Sequence, residues 1–298
     1  MKKTNSRKMD LLSIVLFAIL IVYSALLVTL MLWGVMTSLK TRSDFYSNKL
    51  WLPQGTINTW AWSNYSFVWE NFAVLTFDSL GRQIRINIYL QFMNTLLYAV
   101  GGGLVTTACS CIVAYLSAKF KYWFSNLVYT IVIITMVVPI VGSMPAMIKF
   151  LKWSQLYDTW LGAYLMKFTF LGLYFLIFHG VFKGISPEYA EAATIDGANE
   201  YHIFFSIMVP LVSTTFYTVF LIQFIHYWND YQMALLYMPT HPTLAYGVYY
   251  MSVSNMNGLS SAPMRMVACV ILALPITTVF IVFKDKVMGN ITMGGVKE

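Results

Sequence analysis

The sequence predicts an all-α integral membrane fold: six transmembrane helices and a short helical elbow on the cytoplasmic side. Three observations predict it. Hydrophobic residues make up 58% of the 298 positions and charged residues 10%, against about 45–50% and about 25% in soluble chains. The apolar residues gather in runs near the ~20 positions a helix needs to cross a bilayer. One connection between two runs is built of alanine and glutamate with helix start and stop signals, where a membrane loop would ordinarily be polar and irregular.

The first apolar run covers residues 11–37, follows Lys2, Lys3, Arg7 and Lys8, and is too long for a signal peptide. The others cover residues 92–118, 124–148, 160–182, 207–227 and 266–283. Placing both termini in the cytoplasm leaves ten cations inside: Lys2, Lys3, Arg7, Lys8, Lys119, Lys121, Lys183, Lys284, Lys286 and Lys297. Seven fall outside: Lys40, Arg42, Lys49, Arg82, Arg85, Lys149 and Lys152. Five of those seven sit in the long outer loop 39–91, where translocation is less sensitive to charge. The outer loop 229–264 has none before Met264. Its Tyr, Asn, Ser and Pro residues suit a carbohydrate or protein contact, or an ordinary membrane interface. The tryptophans of loop 39–91 (Trp51, Trp60, Trp62, Trp69) suit an interface or a small external cap.

The same residues exclude other classes. The net charge of +7 is scattered beside the apolar runs with no continuous basic stripe, so nucleic acid is not an expected partner. Cys109 and Cys111 are two apart and face different sides of a helix, which argues for packing and against a metal site. The four histidines, His179, His202, His226 and His241, form no metal-binding helix motif and no matched pair for haem, so an integral membrane enzyme is not expected. No Asp or Glu lies inside a span, which leaves a self-sufficient secondary transporter or channel without an evident coupling ligand. No P-loop occurs, so any ATP and Mg would be bound by another chain.

The connection between the fourth and fifth runs, residues 184–206, reads as an elbow. Ser186 caps a helix whose first position is Pro187, where a missing N–H costs nothing. Glu188 and Glu191 fall at the positive end of its dipole. Ala190, Ala192 and Ala193 give high helix propensity and a slim face for another protein. Gly197 ends the helix in a left-handed turn, and a second helix starts at Ala198.

These residues resemble a known family. Glu191-Ala192-Ala193, then Gly197, Ile207 and Pro210, follow the EAA motif of ABC importer permeases, with Val209 where the pattern has leucine. Trp33, Thr37 through Lys40, Trp51-Leu52-Pro53, Asn64-Tyr65, Asn94-Thr95, Ala114-Tyr115, Trp228 through Tyr231 and Met293 through Lys297 extend the likeness along almost the whole chain. Together they resemble the smaller six-span permease subunit of maltose-type carbohydrate importers.

The resemblance implies a type I ABC importer permease fold in a bacterial inner membrane. It implies a second homologous permease, two copies of a cytoplasmic ABC ATPase that bind the ATP, and an extracytoplasmic sugar-binding protein as partners. Glu191, Ala192, Ala193 and Gly197 are then the residues coupling to the ATPase. Polar residues inside spans tend to face the interior, which makes Asn94, Tyr217, Gln223, His226 and Trp228 candidates for the substrate pathway, alongside a plain packing role. Lys167 and Arg265 are expected to snorkel to an interface. The cargo is open between oligosaccharide, monosaccharide, polyol and glycerol phosphate; a phosphate would favour inward Arg or Lys, which the spans largely lack, so a neutral sugar is favoured.

Overall fold

A computed structural model describes residues 11–78, 80–120, 122–138, 142–254 and 258–291, with 284–291 as backbone. Lys2, Lys3, Arg7, Lys8, Lys121 and Lys297, and the tail from Met293, lie outside the described residues. The chain forms two compact units, residues 1–72 with 251–273 and residues 73–250 with 274–298.

In the first unit, α1 (Leu11–Ser38) is a continuous aliphatic helix whose side chains are exposed along most of its length, as suits a surface solvated by lipid. Loop 39–91 is more ordered than its sequence suggested. It opens with α2 (Arg42–Ser47), capped by Thr41, then a 3₁₀ turn (Ile57–Thr59) and α3 (Ser63–Asn71). The buried Asn64 amide donates to the carbonyls of Ser38 and Lys40, both at 2.8 Å, and the Tyr65 hydroxyl meets Ser38 Oγ at 2.7 Å. Lys40 is buried and donates to the Asn48 carbonyl at 2.6 Å; Trp33 Nε1 reaches the Lys49 carbonyl at 2.9 Å. These bonds satisfy carbonyls beyond the end of α1 and fasten the cap to it.

The second unit begins with an antiparallel hairpin, β1 (Ala73–Phe77) and β2 (Gln83–Asn87), with Ala73 opposite Asn87. The Arg82 backbone N–H, bonded to the Asp78 carboxylate at 2.8 Å, holds that carboxyl below its usual range. Asn87 caps α4 (Ile88–Lys119), the central helix of the unit. After it come α5 (Trp123–Val137), α6 (Ser143–Trp153), α7 (Trp160–Lys167), α8 (Leu173–Gly184), α9 (Glu188–Ile195) and α10 (Glu200–His202). A π-helical turn (Ile203–Met208) and α11 (Val209–Leu211) lead into α12 (Ser213–Trp228), followed by α13 (Tyr231–Leu236). The last helices, α14 (Leu244–Val253) and α15 (Ala262–Ile291), have residues in both units.

α4 packs along α8 and α12. Gly102 and Gly103 permit the close approach to α12: a Cβ on Gly102 would stand 3.1 Å from the Tyr227 ring, and one on Gly103 3.4 Å from the Phe224 backbone nitrogen. Small residues at a helix crossing are how membrane helices gain dispersion contact where lipid removes the hydrophobic drive.

Among the described residues, α1, α4 and the stretch Ala262–Phe283 are each long and apolar enough to cross a bilayer. The pair Glu200–Leu211 and Ser213–Trp228 makes a fourth if taken as one span bent by 75°. The runs read as continuous spans 124–148 and 160–182 are each two helices: α5 with α6, and α7 with α8. Gly142 (φ +80°) precedes α6 and Gly172 (φ +128°) precedes α8, both in backbone conformations that side chains disfavour. Pro210 has no N–H to close its turn, which contributes to the bend ahead of α12. Hydropathy sums over such breaks and does not register them.

Candidate functional site

The elbow hangs between α8 and α12. Ser186 Oγ accepts from the Glu188 N–H at 3.3 Å and starts α9, with Pro187 just before its first residue. Glu188 and Glu191 fall in the first turn, at the positive end of the dipole. Gly197 has φ +82° and ends the helix, as its sequence position suggested. The next helix starts at Glu200 and not at Ala198, because the Asn199 carboxamide accepts from the His202 N–H at 2.8 Å and acts as the cap.

Of the four residues read as coupling residues, Glu191, Ala192 and Gly197 are exposed and Ala193 is buried. Ala193 joins a core with Phe178 and Phe182 of α8, Tyr115 of α4, and Ile203 and Phe204 beyond the elbow. The alanine stripe therefore serves two directions: Ala193, with half-buried Ala190, seats the elbow on its own protein, and Ala192 faces out. Ile195, Tyr201 and Phe205 also stand exposed around the elbow. Its root is fastened by Lys119, whose ammonium donates to the Ile185 carbonyl at 2.7 Å.

The pathway candidates do not gather into one site. Half-buried Asn94 spends its amide on the Pro242 carbonyl at 3.1 Å, beside Thr95, whose Oγ1 accepts from the Leu244 N–H at 2.8 Å; both pin the loop before α14. Trp228 is buried edge-on to Phe92 and tilted against Phe224. Gln223 is buried on α12, whereas Tyr217 and His226 are exposed. Nine residues of helix rotate by roughly half a turn beyond whole turns, so Tyr217 and His226 point to different sides.

A cluster the sequence reading did not assemble ties the ends of α7 and α12 to α4. Lys167 does not snorkel. It ends α7 with its side chain only 18% exposed, and its Nζ is 3.8 Å from Asp230 Oδ2, itself 16% exposed. The ammonium also lies over the Tyr227 ring at 4.7 Å and the Tyr98 ring at 5.6 Å. Tyr98 donates to the same Asp230 oxygen at 2.7 Å, while Asp230 Oδ1 caps α13 through the N–H groups of Gln232 and Met233. Where the span breaks, the Lys167 carbonyl accepts from Thr106 Oγ1 at 3.0 Å. That hydroxyl's one proton is thereby used, so Tyr227 donates in their 2.8 Å contact. Opposite charge and π faces together compensate the burial of the ammonium. The available signal was Lys167 within an apolar run and Asp230 directly beyond another. Arg265, the other cation expected to snorkel, is half-buried with its Nε covered. Among the described residues no three His, Cys, Asp or Glu side chains are grouped as for a metal.

A mainly helical membrane body with interrupted spans and a protruding elbow has the fold of an importer permease. It superposes on a chain of a bacterial ABC transporter involved in import of the acidic polysaccharide alginate with a TM-score of 0.72, at 20% identity, over 95% of this chain and 99% of that one. Residues 107–288 match the family described as binding-protein-dependent transport system inner membrane component, and the chain belongs to that family. It is thus a transport permease and not an enzyme. Similar proteins include the diacetylchitobiose uptake system permease protein NgcG of Streptomyces coelicolor, 23% identical over 285 residues, covering 93% of this chain and 86% of that one. The melibiose/raffinose/stachyose import permease protein MelC of Bacillus subtilis is 25% identical over 265 residues, covering 88% of each. The arabinooligosaccharides transport system permease protein AraQ of the same organism is 24% identical over 212 residues, 71% of this chain and 75% of its own.

Proposed function

We propose that this chain is the membrane-spanning subunit of an ATP-driven, binding-protein-dependent importer and forms half of the translocation pathway for a neutral sugar or oligosaccharide. A second, homologous permease supplies the other half, and two copies of a cytoplasmic ATPase drive the cycle through the elbow. Both termini face the cytoplasm, and the outer cap and loop 229–264 face the binding protein. The observation that carries the reading is the two-sided elbow. Ala193 roots it in a core shared with α4 and α8, while Glu191, Ala192 and Ile195 stand exposed. A capped helix transmits displacement that a flexible loop would dissipate, and nucleotide can bias access only through contacts that differ between states. The names of the relatives support a carbohydrate cargo. The test is ATP-dependent uptake by proteoliposomes holding the complete complex and its binding protein. Labelled neutral di- to tetrasaccharides should be taken up, and glycerol phosphate and polyols should not. Uptake without ATP or without the binding protein would contradict the reading.

A further inference from the structure

We propose that Lys167 and Asp230 are a positioning pair that clasps the far side of the joint beyond α8 to the end of α12, so that a displacement of the elbow is not lost at that joint. The proposal rests on the importer reading above. One arm is α8, which runs from the elbow root at Ile185 back to the break at residues 168–172, on whose far side stands Lys167. The other runs from α9 through the π turn and α12 to Asp230, two residues past that helix. The residue across the break from α8 and the residue beyond α12 meet in the 3.8 Å ion pair.

Both are also held to α4, through Tyr98 on Asp230 and Thr106 on the Lys167 carbonyl. Thr106 lies thirteen residues before Lys119, which is tied to the elbow root; at 1.5 Å per residue the clasp sits roughly 20 Å along α4 from that tie. Nearer the elbow α8 and α12 share a core, with the Phe178 and Phe216 rings 6.3 Å apart, and the pair adds opposite charges in largely buried surroundings beyond the break that ends α8. The break with Gly172 at φ +128° is a joint between Lys167 and α8, and without the pair its far side is free to move away from the end of α12. An uninterrupted fourth span would have needed no clasp.

The test uses the complete complex in proteoliposomes with its binding protein and a labelled neutral oligosaccharide. It measures ATP hydrolysed per sugar moved. Lys167→Met removes the charge and keeps the length; Asp230→Asn removes the charge and keeps an oxygen to cap α13. Each variant should assemble with the ATPase and hydrolyse ATP while the ratio rises about tenfold, within the usual range of coupling between sites. Lys167→Arg should restore most of the coupling, which a role in filling space alone would not predict over Met. An unchanged ratio in Lys167→Met would overturn the clasp. So would loss of assembly in both neutral variants, because the pair would then be serving the fold. If the wild-type complex itself moves no sugar with ATP, the importer reading fails; normal wild-type uptake with unaffected variants defeats the clasp alone.

Discussion

The Lys119 ammonium and the Ile185 carbonyl, 2.7 Å apart, join the C-terminal end of α4 to the root of the elbow. The bond is charge-assisted but half-exposed, so screening reduces its worth to about 1 kcal/mol. Lys119→Met should raise amide exchange in residues 188–195 about fivefold, with little change in the hairpin 73–87. Exchange-mass spectrometry measures this, and unchanged protection of the elbow would show that Ala193 and the aromatic core hold it without help.

Gly197 invites a sharper comparison. Its φ of +82° disfavours a side chain, yet a Cβ there would meet nothing within 4 Å. The penalty is one of backbone conformation, about 1–2 kcal/mol for most residues, and asparagine tolerates the left-handed turn best. Gly197→Asn should therefore retain near-normal ATP-dependent uptake, while Gly197→Val reaches the membrane in normal amount but loses ATPase and uptake. Equal behaviour of the two variants would mean that the turn does not set the elbow.

Asn64 makes two buried hydrogen bonds, to the carbonyls of Ser38 and Lys40. Asn64→Ala leaves both acceptors unpaired and should cost about 2–3 kcal/mol locally, and Asn64→Asp, which cannot donate with an ionised carboxylate, should cost more. Proteolysis of residues 39–72 in detergent is the readout; equal resistance of all three proteins would refute the fastening role.

How much of this was legible in the sequence differs by region. The elbow was legible because Ser186, Pro187 and Gly197 act locally, through capping, a missing N–H and a left-handed turn. Two details escaped. Asn199 outcompeted Ala198 as the start of the next helix because its carboxamide accepts an N–H. The direction of Ala193 depends on α4 and α8, which a local reading does not contain. The motif residues Ser38, Lys40, Asn64 and Tyr65 were recognised as an ordered series, and the structure supplies their physical reason: they bond one another across 24 or more positions of sequence. Lys167 was misread because its partner stands sixty-three residues away in sequence, on another helix end. The interrupted spans were missed because an average over twenty residues is insensitive to one glycine at φ +128°.

The central claim is that the elbow seats a separate ATPase. The most direct measurement is native mass spectrometry of the complex, purified by a tag on this chain from a mild detergent, compared with Ile195→Asp. That position is 86% exposed, so the substitution leaves the fold intact. The account predicts one second permease and two ATPase copies with the unaltered chain, and loss of ATPase with the second permease retained in the variant. Recovery of this chain alone from lipid nanodiscs, or full retention of ATPase by the variant, would contradict it.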